Sequence, residues 1–357
     1  MKGLLLAGGH GTRLRPLTST GNKHMIPIAN QPILYYGLKQ LAGAGIRDVA
    51  IVLGPIRESI REGIGDGSSF GLRVTYIEQG PPRGLADAVK CARSFLGHES
   101  FLMYLGDNIL ENSLAPFVES FERNHADAVI GVTPVTDPHR FGIIELDGPR
   151  IVSIEEKPRT PKSNLALVGV YVFSPAVHAI IDALPLSARG ELEITDAIQR
   201  LVAEHRPVLV QRVYGWWKDT GAPEDLLEAN DLVLNSMPGP AFVRTGTVDP
   251  GASVSGNVAL GNESVVESGA AIEGPVVIGA GVRVTHGTWV GPGTSIGDHV
   301  ELRGCSVRRT IVLEGARIVG SVDIHDSLIG RNAEIHGYGQ RHREVSFIIG
   351  DASRIRL

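Results

Sequence analysis

The chain has 357 residues, more than one ordinary hydrophobic core organises, and 43% hydrophobic against 20% charged residues exclude disorder. With 34 Lys and Arg against 39 Asp and Glu, the net charge of −5 excludes a general nucleic-acid binder, so any phosphate chemistry must use a few placed cations. Two cysteines, Cys91 and Cys305, exclude a disulfide framework, and no apolar run approaches the roughly 18 residues a membrane helix needs.

In chain order, Lys2–Ala7 reads as a strand, and Gly8, Gly9 and Arg13 break its apolar run too soon for a signal peptide. A soluble cytoplasmic protein is expected. Residues 32–44 read as a helix, with Pro32 early and Gly45 after its end. Strands follow at Asp48–Leu53 and 72–77, a helix at 84–95, and a continuous apolar strand at Phe101–Leu105. Further strands fall near 128–132, 142–145, 151–155 and 167–173. The β-α-β alternation predicts an α/β fold, a mostly parallel sheet with helices on both faces.

Ser236-Met237-Pro238-Gly239-Pro240 marks a boundary, which divides the chain into domains 1–236 and 241–357. From residue 241 there is no Lys and no Met, and 19 residues are Gly. Apolar residues recur every six positions at Val248, Val254, Leu260, Val266, Ile272, Ile278, Val284, Val290, Ile296 and Leu302. Neither the helix nor the strand period gives this spacing, but a solenoid of short parallel strands does. The pattern resembles the hexapeptide left-handed parallel β-helix; a Ca²⁺-binding β-roll would need a Gly/Asp-rich nonapeptide. The phase slips after Leu302, resumes at Val312, Ile318 and Ile324, and slips again to Ile329 and Ile335. A loop is expected to leave the solenoid at each slip.

The chemistry-bearing residues start at the end of the first strand, with Leu6, Ala7, Gly8, Gly9, His10, Gly11, Thr12 and Arg13. Glycines expose backbone N–H groups to an anion, and Arg13 adds a guanidinium fork. No Gly-Lys-Ser/Thr follows, as a Walker A loop requires, and the dinucleotide fingerprint lacks its third glycine. On glycines alone, a tight turn stays equally open. Lys23 lies ten residues after Arg13, in Asn22-Lys23-His24-Met25-Ile26-Pro27-Ile28.

The stretch Gly-Gly-x-Gly-Thr-Arg-Leu-x-Pro-Leu-Thr, then Lys-x-x-x-Pro-Ile, resembles the catalytic signature of the sugar-1-phosphate nucleotidyltransferase family. The resemblance covers nearly the whole chain and implies a Rossmann-like catalytic domain. It implies that Leu6 to Arg13 cradle a nucleoside triphosphate, with Arg13 and Lys23 neutralising its charge. Gln79 and Gly84 would receive the base, although an exposed loop amide is the plain reading of Gln79. Asp107, at the end of a buried strand, and Asp219 in Trp216-Trp217-Lys218-Asp219-Thr220-Gly221 would hold Mg²⁺; a strand-end Asp can equally cap a helix.

Glu156 and Lys157, by the same resemblance, bind the hydroxyls and phosphate of the sugar, against the alternative of a solvated charge pair. Gly142, Val168, Tyr171 and Arg189 complete the implied sugar pocket. The details are closest to the long-form members that use dTTP and glucose 1-phosphate. UTP, ATP or GTP, another sugar or cyclitol phosphate, and an acyltransferase activity in the β-helix are the alternatives. His286, His299, His325 and His336 lack the ordered spacing such an acyltransferase would need. His10, His24 and Met25 depart from the family pattern and bear on nucleotide and sugar choice rather than on reaction type. A catalytically silent subunit would lose Arg13, Lys23 or an Asp, and none is lost. With no evident catalytic residue, the tail is expected to serve assembly into a homo-oligomer, possibly a trimer. Neither nucleic acid nor membrane is expected as a partner.

Overall fold

The computed structural model describes residues 1–338 and 343–357. The chain divides into two compact units, Met1–His10 with Ile33–Lys218, and Gly11–Pro32 with Asp219–Leu357. The division therefore differs from the composition boundary near residue 236. The segment 11–32 and the helix Pro223–Ser236 belong to the same unit as the repeats.

The first unit is built on one nine-stranded sheet. Lys2–Ala7 lies at its centre, parallel to both Phe101–Leu105 and Asp48–Leu53, and Asp48–Leu53 is parallel to Arg73–Glu78. A strand paired on both edges and covered on both faces needs an unbroken apolar run, and Leu4, Leu5 and Ala7 are fully buried. The helix Ile33–Gly43 turns Ile33, Leu34, Gly37, Leu38 and Leu41 inward at helical spacing. A Cβ on Gly37 would lie 3.0 Å from Leu5 and Tyr104 side chains, so this helix packs close on the sheet. The expected helix at 84–95 is two, Leu85–Cys91 and Arg93–Leu96. They break at Ala92, whose N–H is shared between the carbonyls of Ala88 and Val89.

An antiparallel arm extends the parallel core. Leu165–Phe173 runs antiparallel to Phe101–Leu105, Ala128–Pro134 and Gly142–Asp147, and Arg150–Glu156 pairs with Gly142–Asp147. This arm brings residues 142, 156 and 157 together, because Gly142 faces Glu156 across the ladder.

In the second unit, the repeats wind into a parallel β-helix with three strands per coil. Leu260 pairs with Ile278 and Ile278 with Ile296, so eighteen residues, three six-residue faces, complete a coil. Inward residues from Leu260 to Ile335 form one aliphatic column, with Ile272, Ile278, Val284, Val290, Ile296 and Leu302 no more than 2% exposed. Burial of each such side chain contributes about 1.5–3 kcal/mol. Glycine follows many inward residues because corners stack closely. A Cβ on Gly279 would lie 2.9 Å from the Gly297 carbonyl carbon, one coil away.

Two expectations for the tail need correction. Val248 is 36% exposed, because Thr247–Val248 is the edge of its sheet with no coil before it. The slips are not exits for loops. Val307 is the inward residue after Leu302, and Val290 pairs with Val307 and Ile296 with Val312. The corners there are shorter, and the ladder continues. The later coils lengthen instead, with Ile324 paired to Val345 and Ile335 to Ile355.

Candidate active site

In the first unit, Leu6 and Ala7 end the central strand and deliver the chain to Gly8. The Leu6 carbonyl accepts the Gly106 N–H at 2.8 Å, which sets Asp107 beside the start of the glycine loop. Gly8 leaves room for Gln79: a Cβ there would lie 3.1 Å from Gln79 Oε1. Gly9 is exposed. Gln79 is 8% exposed, and its Nε2 donates to Asp87 Oδ2 at 2.9 Å. Asp87 is itself buried, with Arg83 Nη2 3.2 Å from its other oxygen. The amide is thereby oriented, with its acceptor toward Gly8. Gly84 has φ +103°, and a side chain there would collide with the Leu192 backbone. The glycine therefore lets the loop before Leu85–Cys91 lie flat on residue 192.

Asp107 is half-buried, and Asn108 Nδ2 donates to its Oδ1 at 2.9 Å. Asn108 is in turn fixed by Trp217 Nε1, which donates to its Oδ1 at 2.6 Å, and by Tyr104, whose hydroxyl donates to its carbonyl at 2.9 Å. A carboxylate held this way presents a hard oxygen donor of the kind Mg²⁺ prefers, with substrate phosphates and water completing its shell.

The residues expected around the sugar form a charged network. Lys157 Nζ and Arg189 Nη1 lie 3.7 and 3.5 Å from Glu156 Oε1. Arg189 Nη1 also lies 3.2 Å from Glu193 Oε1. Glu193 is buried, and burial first, then the charge of Glu156, push its carboxyl above the usual range against the pull of Arg189. Lys157 adopts φ +45°, and its N–H donates to the Phe141 carbonyl at 3.0 Å. Gly142 clears the space beside Glu156, where a Cβ would lie 3.1 Å from Oε2. Val168 and Tyr171 are placed differently, with buried side chains, and Tyr171 stacks on Phe173 in the core. Burial, and then Glu156, push the Tyr171 phenol up.

The second unit holds the two cations and the other carboxylate. Gly11, at φ +63° and ψ +31°, starts the turn Thr12–Leu14, and its carbonyl accepts from Leu14 N–H at 3.0 Å and Thr18 Oγ1 at 2.8 Å. Leu14 is fully buried and anchors the turn, while Thr12 and Arg13 are exposed. A Cβ on Gly11 would lie 2.9 Å from Lys23 Cβ, so the glycine backbone rests on the lysine stem. Lys23 opens its own turn, Lys23–Met25, which Asn22 caps by accepting the His24 N–H at 2.9 Å. Asn22 Oδ1 also meets His24 Nδ1 at 2.7 Å, and His24 is 1% exposed, so this departure from the family pattern is a buried strut of the lysine turn.

Arg13 and Asp219 converge on Gly221. A Cβ there would lie 2.6 Å from Arg13 Nη2 and 3.2 Å from Asp219 Oδ2. Sequence reasoning passed over Gly221 and Asp87, although the first stands inside the motif that carries Asp219. Thus Asp107, Gln79, Gly84, Glu156, Lys157 and Arg189 lie in one unit, and Gly11, Thr12, Arg13, Lys23 and Asp219 in the other. No helix among the described residues is long and apolar enough to cross a membrane.

Residues 2–236 match the family model described as nucleotidyl transferase. A glucose-1-phosphate thymidylyltransferase of Streptomyces griseus is 44% identical over 358 residues, covering 100% of this chain and 99% of the relative. A low-salt glycan biosynthesis nucleotidyltransferase of Haloferax volcanii is also 44% identical, covering 100% of both chains. Among solved structures, a putative glucose-1-phosphate thymidylyltransferase from Bacillus anthracis, in complex with a sucrose, is 36% identical with a TM-score of 0.62. It covers 65% of this chain and 94% of that one.

Proposed function

We propose that this chain, which belongs to the nucleotidyl transferase family, transfers a thymidylyl group from dTTP to glucose 1-phosphate, giving dTDP-glucose and pyrophosphate. The observation that carries this reading is 44% identity to the Streptomyces griseus enzyme along the full length of both chains. An equal identity to the Haloferax volcanii relative keeps a different sugar or nucleotide as the second reading.

The attacking group is a phosphate oxygen that is already an anion, so no general base is needed. A bond forms from that oxygen to the α-phosphorus, and the bond from the α-phosphorus to the pyrophosphate oxygen breaks. Catalysis then rests on positioning and on neutralising charge. Backbone N–H groups of Gly8, Gly9, Gly11 and Thr12 cradle the triphosphate. Arg13 meets the charge that builds on departing pyrophosphate, and Lys23 the charge around the α-phosphorus. Gln79 offers its amide to the base edge, and Gly84 lets the ring approach. Lys157 and Arg189 hold the sugar phosphate, and Glu156 accepts from sugar hydroxyls. Asp107 and Asp219 would hold Mg²⁺, which supplies further neutralisation of phosphate charge when bound. Phosphorylated metabolites as substrates support a cytoplasmic location for the reaction. The solenoid would also serve as the assembly surface of a homo-oligomer.

The test is a pyrophosphate-release screen of purified protein with dTTP, UTP, ATP, GTP and CTP against several sugar 1-phosphates. The highest kcat/KM is expected for dTTP with glucose 1-phosphate. A clear preference for another pair would replace the substrate assignment, and no release with any pair would refute the reaction.

A further inference from the structure

We infer that Asn230 and Asn30 are positioning residues, through which the β-helix fixes the loop that carries Arg13 and Lys23. The inference rests on the roles proposed above for those two cations. Asn230 lies in the helix Pro223–Ser236 and is fully buried. Its Oδ1 accepts from the Ala29 N–H at 2.9 Å and from Ser295 Oγ at 2.7 Å, and its Nδ2 donates to the Gly293 carbonyl at 2.9 Å. One side chain therefore ties three segments far apart in sequence: the signature loop, the helix and a coil of the solenoid. Buried polar atoms bound in this way specify one arrangement, because every alternative leaves a donor or acceptor unpaired.

The loop is built to need such a tie. Pro27–Ile28 and Gln31–Pro32 form a hairpin whose two turn residues, Ala29 and Asn30, have φ of +47° and +59°. A two-residue hairpin turn with both residues at positive φ suits Asn and Gly; Ala is disfavoured there and persists where its surroundings dictate it. Here the Asn230 bond fixes Ala29, and Asn30 Nδ2 donates to the Ile296 carbonyl at 2.6 Å. At the other end of the loop, Thr20 Oγ1 donates to Asp351 Oδ2 at 2.6 Å, and the Arg331 N–H donates to Asp351 Oδ1 at 2.7 Å. The segment between residues 20 and 29 is thus tethered to the solenoid at both ends, and Lys23 lies inside it. Ile26 and Ile28 are buried, so the hairpin's position passes to the lysine turn. Lys23 in turn backs Gly11, where the Arg13 turn begins.

Groups that act on charge in the transition state lose rate, not substrate binding, when displaced, and a shift of about 1 Å can cost on the order of 10²-fold. The decisive variant is Asn30→Gly, which keeps the positive φ and removes the tether. It is expected to lower kcat for pyrophosphate release by ~10- to 100-fold with the KM for glucose 1-phosphate unchanged. In a Lys23→Ala background the same change is expected to cost less, because only the part that acts through the Arg13 turn remains. Thr288→Ala is the structural control. It removes a buried hydroxyl that bonds the Leu302 carbonyl and the Gly304 N–H in the same solenoid, and it should lower Tm with kcat unchanged. Asn230→Ala, followed by both Tm and kcat, supplies a second tether variant. Wild-type kcat in Asn30→Gly while Lys23→Ala is inactive would overturn the positioning role alone. So would an equal loss in the Lys23→Ala background. Wild-type kcat in Lys23→Ala would instead remove the functional reading of the lysine, and the positioning role with it.

Discussion

In the sheet unit, the residues assigned to recognition are held by partners of opposite polarity: Gln79 by Asp87, Glu156 by Lys157 and Arg189. In the solenoid unit, the two cations rest against glycines, Lys23 on Gly11 and Arg13 beside Gly221. The difference fits the roles proposed for them. A group that reads a base or a hydroxyl must have its dipole fixed before the ligand arrives, and a hydrogen-bonded neighbour does that. A group that meets developing charge must reach the substrate closely, and space made by an absent side chain does that.

Four substitutions probe this contrast, from the largest expected effect to the smallest. Ile278→Asp puts a charge in the aliphatic column, where Ile278 is 2% exposed, and should destabilise the solenoid by about 3–5 kcal/mol, read by thermal melting. A melt equal to wild type would break the account of the column. Asp107→Asn keeps the Asn108 geometry and removes the charge, so turnover should fall by roughly 10²-fold or more with the fold intact. Near-normal turnover at saturating Mg²⁺ would count against it as the metal-holding carboxylate.

Gly221→Ala sharpens the argument from room. The new methyl meets the side-chain ends of Arg13, at 2.6 Å, and Asp219, at 3.2 Å, so Tm should hold while kcat falls about tenfold from displacement of these two groups. A loss of Tm with kcat retained would show that the space is structural. Glu193→Gln tests polarity. The Glu193 carboxyl is raised in the fold, so the folded chain holds this proton more tightly than the unfolded one. Its contribution to stability is therefore full below the ordinary carboxylate pKa and is lost as pH rises through the raised one. The variant should flatten that part of the Tm–pH curve, and an unchanged slope would contradict the electrostatic reading of the pocket.

How much of this was legible in the sequence depended on how local the cause was. The solenoid column follows from one inward residue in six, a purely local rule. It failed at Val248, where the stack ends, at Val307, where a corner shortens, and in the last coils, which lengthen. The turn after Lys2–Ala7 and the buried strand that ends before Asp107 were legible because strand and turn are adjacent in the chain. Asn230 was not, since its meaning comes from residues 29, 293 and 295. Nor was Asp87, which a helix pattern reads as an exposed acid but which is 3% exposed and orients Gln79. Burial turns such residues from solvated to decisive, and burial is set by distant chain.

The central claim is that the sheet unit binds the sugar phosphate and the solenoid unit supplies the charge that speeds transfer. It is tested most directly by kcat and the KM for glucose 1-phosphate in Arg13→Ala and Lys157→Ala, measured side by side as pyrophosphate release. The account predicts that Arg13→Ala lowers kcat with little change in that KM, and that Lys157→Ala mainly raises the KM. The same kinetic signature in both variants would contradict it.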